Sequence, residues 1–267
     1  MHRFQPAPNG DLEDAILLVV SCGLSDFIQN TLASIERSGA KCRICIAVSQ
    51  NALAEVQAAV SRWTNVEYFL LDDICLADYS WIRIGEYKDF GSEAFNRFTV
   101  AKWAAIRFLL NSGFRRVTYT DIDVAWMRNP MPLLRAALRV YEVAMQTEGR
   151  EQFPPLYCTG FMSFRNSEFT IATLDNLEKI NIEIVKRDSK EHDQNIFNTL
   201  VAGSQDFIHR IFSLSEILFA NGLMAEAIAS KVLEGKIHPI IFHANWTVGL
   251  AKKRLLLQRT GNWLIDF

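Results

Sequence analysis

The chain has 267 residues, of which 49% are hydrophobic and 22% charged, and its formal net charge is −2. This balance gives no reason to expect a nucleic-acid partner. No apolar run approaches the roughly 18 residues of a membrane-spanning helix, and the N-terminus lacks the long apolar region of a signal peptide. We therefore expect one cytoplasmic domain over 1–267 with a loose polar arm at 1–13. A peripheral contact with a membrane is compatible with this composition.

The first 72 residues alternate short apolar runs with amphipathic segments. Residues 15–20, 43–48 and 66–71 are predicted strands, and two predicted helices separate them. This β-α-β-α-β order indicates right-handed crossovers and a parallel sheet. Such sheets bind ligands at the carboxyl ends of their strands, which makes Ser21, Cys22 and Gly23 candidate contacts. The dinucleotide fingerprint and the P-loop motif are both absent from the sequence.

The rest of the chain continues the alternation. The aromatic segment 73–92, which contains Tyr79, Trp81, Tyr87 and Phe90, is predicted to be a functional or mobile loop, either a sugar platform or a lid on the core. Further strands are predicted at 141–145, 156–164 and 240–245. Helices are predicted at 93–111, 167–177, 192–200 and 250–257. No repeat or linker interrupts this pattern, which predicts an α/β fold.

Two acids follow a buried strand near the middle of the chain. Asp121 and Asp123 are two residues apart, so in an extended chain both side chains leave the same face, roughly 6.5 Å apart. Two carboxylates this close repel each other unless a positive charge lies between them. A divalent cation that also binds phosphate oxygens is one answer. A solvated strand end is the other.

Three further polar clusters lie at predicted element ends. Thr159 and Gly160 lie in one strand, His243 and Asn245 end another, and Asp193 and Gln194 open a helix. Two carboxylates and one imidazole are a reasonable ligand set for an octahedral Mn²⁺ or Mg²⁺ with open positions for substrate oxygens. Lys252, one helical turn after Gly249, is a candidate contact for a pyrophosphate. A structural histidine and a simple helix N-cap at Asp193 are the alternatives.

These motifs, in this order, resemble those of the GT-A nucleotide-diphospho-sugar transferases. The resemblance is greatest to the branch that contains plant cell-wall xylosyl- and arabinosyltransferases, and it is more distant to the glycogenin-like glycosyltransferases. The matching segments are Asp121-Ile122-Asp123 with the following residues to Pro130, Thr159-Gly160-Phe161-Met162, Asp193-Gln194-Asn195, and His243-Ala244-Asn245 with Gly249 and Lys252. The chain departs from the family at Cys158, where an asparagine is usual.

The resemblance implies a single GT-A-like domain with a mixed, mostly parallel central sheet flanked by helices. It implies that Asp123 and His243 bind Mn²⁺ or Mg²⁺, and that Asp121 shares the metal or holds the ribose. Lys252 and Gly249 would meet the diphosphate, and Asp193 and Gln194 would face the reaction centre. Thr159 and Gly160 would contact the donor sugar, and Arg97 and Lys102 would approach it from the preceding helix.

The implied activity is transfer of a sugar from a nucleotide diphosphate, above all from a UDP-sugar, to a hydroxyl with retention of configuration. The acceptor would be a saccharide, a glycolipid or a protein. One alternative is a haloacid-dehalogenase-type phosphatase, because Asp121-Ile122-Asp123-Val124 also fits its motif, with the first Asp as nucleophile. That motif normally follows the first strand, and no later Gly-Asp-x-x-x-Asp is present. A sugar-nucleotide hydrolase or binding protein is a second alternative.

Overall fold

The structure is a computed structural model that describes residues 2–4, 12–74, 91–148, 152–187 and 190–265. The four aromatic residues of the predicted loop at 73–92 lie outside this part of the chain. The described strands are β1 (His2–Arg3), β2 (Leu12–Val20), β3 (Arg43–Val48), β4 (Val66–Leu70), β5 (Phe114–Thr120), β6 (Val124–Trp126), β7 (Val143–Thr147), β8 (Tyr157–Arg165), β9 (Ile211–Leu214), β10 (Phe219–Asn221) and β11 (Ile241–His243). The described α-helices are α1 (Ser25–Ser38), α2 (Leu53–Ala59), α3 (Glu93–Thr99), α4 (Ala101–Asn111), α5 (Met131–Ala137), α6 (Glu168–Arg187), α7 (Asp193–Ala202), α8 (Gln205–His209), α9 (Ala225–Leu233) and α10 (Leu250–Arg259).

Among the described residues, eight strands form the main sheet in the order β1-β4-β3-β2-β5-β8-β7-β9. The pairs from β1 to β5 are parallel, whereas β8 runs antiparallel to both β5 and β7. A smaller sheet has the order β10-β11-β6, in which β11 is parallel to β10 and antiparallel to β6. This mixed, mostly parallel α/β architecture confirms the predicted fold class.

Strand β2 lies inside the main sheet and is buried on both faces, as its continuous apolar run predicts. Side chains alternate along a strand. Leu17 therefore packs in one apolar cluster with Trp103 of α4, and Leu18 packs in the other with Leu32 of α1. The two faces of the sheet are thus covered by different helices, and the carboxyl end of β2 is left at the edge where the polar residues collect.

Some predicted elements differ from the structure. The prediction of a loose arm at 1–13 is partly wrong, because β1 pairs with β4 and β2 already begins at Leu12. Residues 5–11 are not described. The ring of Phe4 is buried and packs against Phe108 and Phe69 at centroid distances of 5.6 and 6.0 Å, which ties this end to the core. The helix predicted at 93–111 is divided into α3 and α4 at Val100.

The described helices include none that is both long enough and apolar enough to cross a membrane. The longest, α6, has 20 residues, but it carries charged side chains along its length and buries only one face. These helices pack against the sheets and contribute to the core.

Truncation of Leu17 to alanine tests the central position of β2. Leu17 is fully buried, so we expect Leu17→Ala to lower the free energy of unfolding by about 2–5 kcal/mol through lost burial and a residual cavity. Val140 is 76% exposed, and Val140→Ala is the matched control. Urea unfolding followed by circular dichroism measures both. Equal losses in the two variants would contradict the assigned position of β2.

Candidate metal centre

A cavity of about 880 Å³ opens at the carboxyl ends of β2 and β5. Its described wall also includes the first residues of α7, the strand β8, the segment after β11, and parts of α3, α4 and α10. This volume lies within the range of small-molecule sites in proteins, about 300–1,000 Å³. The position also matches the edge at which parallel sheets bind ligands.

The two acids lie in a turn between β5 and β6, so the expected extended geometry is wrong. The amide of Val124 donates to the carbonyl oxygen of Asp121 at 3.3 Å, which closes the turn. The amide of Asp121 donates to the carbonyl of Gly160 at 2.8 Å, and the amide of Ala244 donates to the carbonyl of Asp123 at 3.0 Å. Neighbouring strands therefore hold the turn from both sides and fix the direction of the carboxylates.

His243 ends β11 and faces the same point as the two acids. Its Nε2 atom lies 3.3 Å from Oδ1 of Asp123 and 3.8 Å from Oδ2 of Asp121. One ligand atom from each of the three residues lies within 4.8 Å of the other two. Two carboxylate oxygens and one imidazole nitrogen form a donor set suited to Mn²⁺ or Mg²⁺, with positions left for substrate oxygens.

Gly160 shows that the protein keeps space for this cluster. A Cβ atom added at Gly160 would lie 2.3 Å from Cε1 of His243 and 2.6 Å from Oδ2 of Asp121. Both distances are far below van der Waals contact, so any other residue would displace two of the three ligands. The strand β8 can approach the cluster closely because this position has no side chain. The residues present therefore fit a bound cation.

Lysines offset the negative charge of the two acids. Nζ of Lys253 lies 2.5 Å from Oδ2 of Asp123. Burial alone raises the pKa of Asp123, but the ammonium group of Lys253, together with the adjacent imidazole of His243, outweighs burial and holds this pKa well below its ordinary value. Desolvation raises the pKa of Asp121; Lys102 opposes this rise and the Asp123 carboxylate adds to it, so the pKa stays above its ordinary value. The pKa values of the two acids in the turn are therefore shifted in opposite directions.

A buried ion pair lies deeper in the cavity. Nζ of Lys102 is 2.9 Å from Oδ2 of Asp193, and both side chains are only 4% exposed. The same ammonium group donates to the carbonyl oxygen of Thr159 at 3.2 Å. Burial raises the pKa of Asp193, but Lys102 and hydrogen bonds from Thr159 and Lys102 reverse this and leave the pKa below its ordinary value. Asp193 is thus an ionised carboxylate held in one orientation.

A chain of hydrogen bonds connects the start of α7 to the segment after His243. Gln194 accepts from the amide of Thr159 at 3.2 Å through Oε1 and donates to Glu148 at 2.8 Å through Nε2. The other carboxylate oxygen of Glu148 accepts from Nδ2 of Asn245 at 2.5 Å. Glu148 lines the cavity and was not predicted from the sequence, since a glutamate after a strand carries no distinguishing pattern.

The structure brings most of the predicted site residues together in this cavity. The predicted residues that line it are Ser21, Lys102, Asp121, Asp123, Thr159, Gly160, Asp193, Gln194 and His243. The described wall does not include the other predicted contacts, which are Cys22, Gly23, Arg97, Gly249 and Lys252.

The structure explains why two of these residues, Gly23 and Arg97, lie outside the described cavity wall. The backbone N–H of Gly23 donates to both carboxylate oxygens of Glu55, at 2.8 and 3.0 Å, so an acid of the protein occupies this helix start. Arg97 forms an ion pair with Glu93 one turn earlier in α3. The face of α3 toward the cavity carries Phe95 and Phe98.

The position of Lys252 follows from helical phase. Leu250, Lys253 and Leu257 lie on one face of α10 at a spacing of three and four residues. Leu257 is fully buried, so this face points inward and places Lys253 beside Asp123. Lys252 lies about 100° away around the helix and is exposed. The buried leucine is the sequence signal that distinguishes the two lysines.

The chain is similar in sequence to known proteins. The family described as nucleotide-diphospho-sugar transferase matches residues 63–257. Beta-arabinofuranosyltransferase RAY1 from Arabidopsis thaliana is 24% identical over 196 residues, a match that covers 66% of this chain and 36% of the relative. UDP-D-xylose:L-fucose alpha-1,3-D-xylosyltransferase 3 from the same plant is 23% identical over 192 residues and is covered to 50%. The chain thus spans about a third to a half of these relatives.

Solved structures support the same fold. The galactosyltransferase LgtC, in complex with donor and acceptor sugar analogs, aligns with a TM-score of 0.63 at 13% identity and covers 94% of this chain and 97% of its own. The apo form of mouse xyloside xylosyltransferase 1 aligns with a TM-score of 0.58 at 10% identity and covers 88% and 98%. These likenesses confirm the predicted GT-A architecture.

Substitution of Gly160 tests the cluster directly. The added methyl group of Gly160→Ala displaces His243 and Asp121, so we expect Mn²⁺ binding to weaken by at least about tenfold. The control is Gly203→Ala, because a Cβ atom there meets only carbonyl oxygens at 3.6 Å. Electron paramagnetic resonance of free Mn²⁺ measures both affinities. Unchanged affinity in the folded Gly160→Ala variant would contradict the assigned ligand set.

Proposed function

The chain belongs to the nucleotide-diphospho-sugar transferase family, and from this we propose that it is a metal-dependent glycosyltransferase. In the proposed reaction a sugar passes from a nucleotide diphosphate to an acceptor hydroxyl. The observation that carries the proposal is the convergence of Asp121, Asp123 and His243 with Lys253 in one cavity. This combination suits a diphosphate, whose oxygens need both a cation and a positively charged side chain.

The metal ligands proposed for this chain are Asp121, Asp123 and His243. A divalent cation, Mn²⁺ or Mg²⁺, held there supplies Lewis-acid neutralisation of the diphosphate leaving group. The turn at 121–123 orients the carboxylates, and Gly160 leaves room for them. These residues bind and orient the donor and do not attack it.

Lys253 is the proposed diphosphate contact, in place of the lysine inferred from the family pattern. Its ammonium group lies beside Asp123 at the cavity wall, where it would meet the same phosphate oxygens as the cation. A fixed positive charge at this point stabilises the negative charge that develops as the glycosidic bond breaks. Exposed Lys252 has no comparable position.

Asp193 and Gln194 are the proposed residues at the reaction centre. Asp193 is paired with Lys102, which lowers its pKa, so its carboxylate is a weak base. A weak base is poorly suited to removing the acceptor proton, as inversion of configuration would require. It is well suited to stabilising a cation-like sugar. We therefore propose retention, with Thr159 and Gly160 contacting the donor sugar and Ser21 the nucleotide.

The proposed donor is a UDP-sugar, a class that the names of the xylosyltransferase relatives include. The proposed acceptor is a saccharide, a glycolipid or a protein hydroxyl. Incubation of the protein with UDP-sugars, Mn²⁺ and acceptors of each class tests the proposal by NMR of the product, which also reports its anomeric configuration. Release of free sugar alone would identify a hydrolase, and turnover of generic phosphate esters without use of UDP-sugars would identify a phosphatase.

Replacement of Asp123 by asparagine removes one charged metal ligand. We expect Asp123→Asn to lower kcat/KM for the UDP-sugar by at least about a hundredfold. Chelation by EDTA should abolish the activity of the native protein. Added Mn²⁺ should restore activity to the native protein but not to Asp123→Asn. The exposed Asp206 of α8, paired with Arg210, provides the control Asp206→Asn. Full activity of Asp123→Asn with Mn²⁺ present would exclude the proposed metal role.

The two lysines of α10 form a matched pair. We expect Lys253→Met to lower kcat/KM for the UDP-sugar by about a hundredfold, because a charge facing the diphosphate is lost. Lys252→Met should leave it nearly unchanged, because Lys252 is exposed outside the described cavity wall. Steady-state kinetics on the two variants measure this contrast. The reverse order of effects would assign the diphosphate contact to Lys252.

A further inference from the structure

Gln146 lies behind the imidazole of His243, on the side away from the two acids. It belongs to β7, at a register irregularity of the pair with β8 between Met145 and Gln146, and its side chain is fully buried. Its Oε1 atom lies 2.9 Å from Nδ1 of His243. None of the roles proposed above includes this residue, yet it is hydrogen-bonded to the inner ring nitrogen.

The orientation of the Gln146 amide is fixed by two carbonyl groups. Its Nε2 atom donates to the carbonyl oxygens of Phe219 and Ala220 at 3.0 and 3.1 Å. A flipped amide would turn its oxygen toward two other oxygens and leave no donor for them. The amide oxygen must therefore face His243. Since this oxygen only accepts hydrogen bonds, Nδ1 of His243 must carry a proton.

This arrangement decides which nitrogen is left to bind a cation. In the tautomer with its proton on Nδ1 alone, the lone pair of Nε2 points toward Asp121 and Asp123. The Sγ atom of Cys158 also approaches Nδ1, at 3.7 Å, but a thiol sulfur is a weak acceptor. Without Gln146, the carboxylate 3.3 Å from Nε2 would draw the ring proton to that nitrogen. A protonated Nε2 cannot be a metal ligand.

We propose that Gln146 is a positioning residue that selects the tautomer of His243 in which Nε2 is available as a ligand. The metal part of this inference rests on the proposed function, whereas the tautomer itself does not. A glutamine suits this position because its amide is neutral and both accepts and donates hydrogen bonds. From a strand of the main sheet, it binds His243 and the backbone of β10, which both belong to the small sheet. A carboxylate would accept equally well but would place a third negative charge near the acids.

The tautomer is measured in metal-free protein by long-range ¹H–¹⁵N NMR of the imidazole rings at alkaline pH, where histidines are neutral. The His243 signal is assigned from its absence in His243→Ala. We expect the native ring to carry its proton on Nδ1 and Gln146→Leu to shift it toward Nε2. A native ring protonated on Nε2, or an unchanged tautomer in Gln146→Leu, would overturn the proposal.

The affinity for Mn²⁺ in the presence of UDP is the second readout. We expect Gln146→Leu to weaken Mn²⁺ binding about 10–100-fold, as is usual when the partner of a metal-binding histidine is removed. The control is Thr147→Val on the same strand. Thr147 is equally buried, and its hydroxyl donates to the carbonyl of Leu214 at 3.1 Å. Thr147→Val should lower the melting temperature without weakening Mn²⁺ binding. Equal losses of Mn²⁺ affinity in Thr147→Val and Gln146→Leu would reduce Gln146 to a structural role.

A conservative variant separates positioning from packing. Gln146→Glu keeps an acceptor for Nδ1–H but sets a carboxylate oxygen against the carbonyls of Phe219 and Ala220. We therefore expect it to lower the melting temperature, to retain the native tautomer and to recover part of the Mn²⁺ affinity lost in Gln146→Leu. Failure to recover it while the tautomer is retained would contradict the proposed link. If the tautomer responds as expected but no sugar is transferred from any UDP-sugar, the proposed function fails and the role of Gln146 stands.

Discussion

Two carboxylates held side by side at the end of a buried strand repel each other, and the site described above is arranged around this repulsion. Lys253 contacts Asp123, the hydroxyl of Tyr119 donates to Asp121 at 2.5 Å, and the imidazole of His243 faces both acids. These partners come from different elements, so the acids stay paired only while the fold is intact. The same negative charge that is costly in the free protein would give a divalent cation its binding energy.

The topology explains how residues 120 positions apart meet at this point. The chain leaves the main sheet after β5, turns through the two acids and enters the small sheet as β6. Strand β11 runs antiparallel to β6 and pairs His243 with Val124, which puts the imidazole directly beside the turn. From the other side, β8 brings Gly160 against both ligands. The junction of the two sheets is therefore the place where the ligand set is formed.

Sequence patterns predicted the parts of this arrangement that depend on local chemistry. The apolar runs located the strands, and the acids, His243 and the start of α7 were correctly expected to converge. Contacts that depend on distant backbone were not predictable. Gln146 has the partners that give it a role only because β10 presents two carbonyl groups, and Gly23 is occupied by Glu55 from α2. Spacing from Gly249 favours Lys252 as the diphosphate contact, whereas the helical phase set by Leu257 favours Lys253.

Calorimetric titration of UDP into the protein, with and without Mn²⁺, tests the central claim most directly. The claim is that Asp121, Asp123 and His243 form a cation site through which a nucleotide diphosphate is held. UDP should bind at least about tenfold more tightly with Mn²⁺ than with EDTA, because a cation held by the carboxylates would also attract the phosphate oxygens. UDP that binds equally well under both conditions, or not at all, would contradict the account.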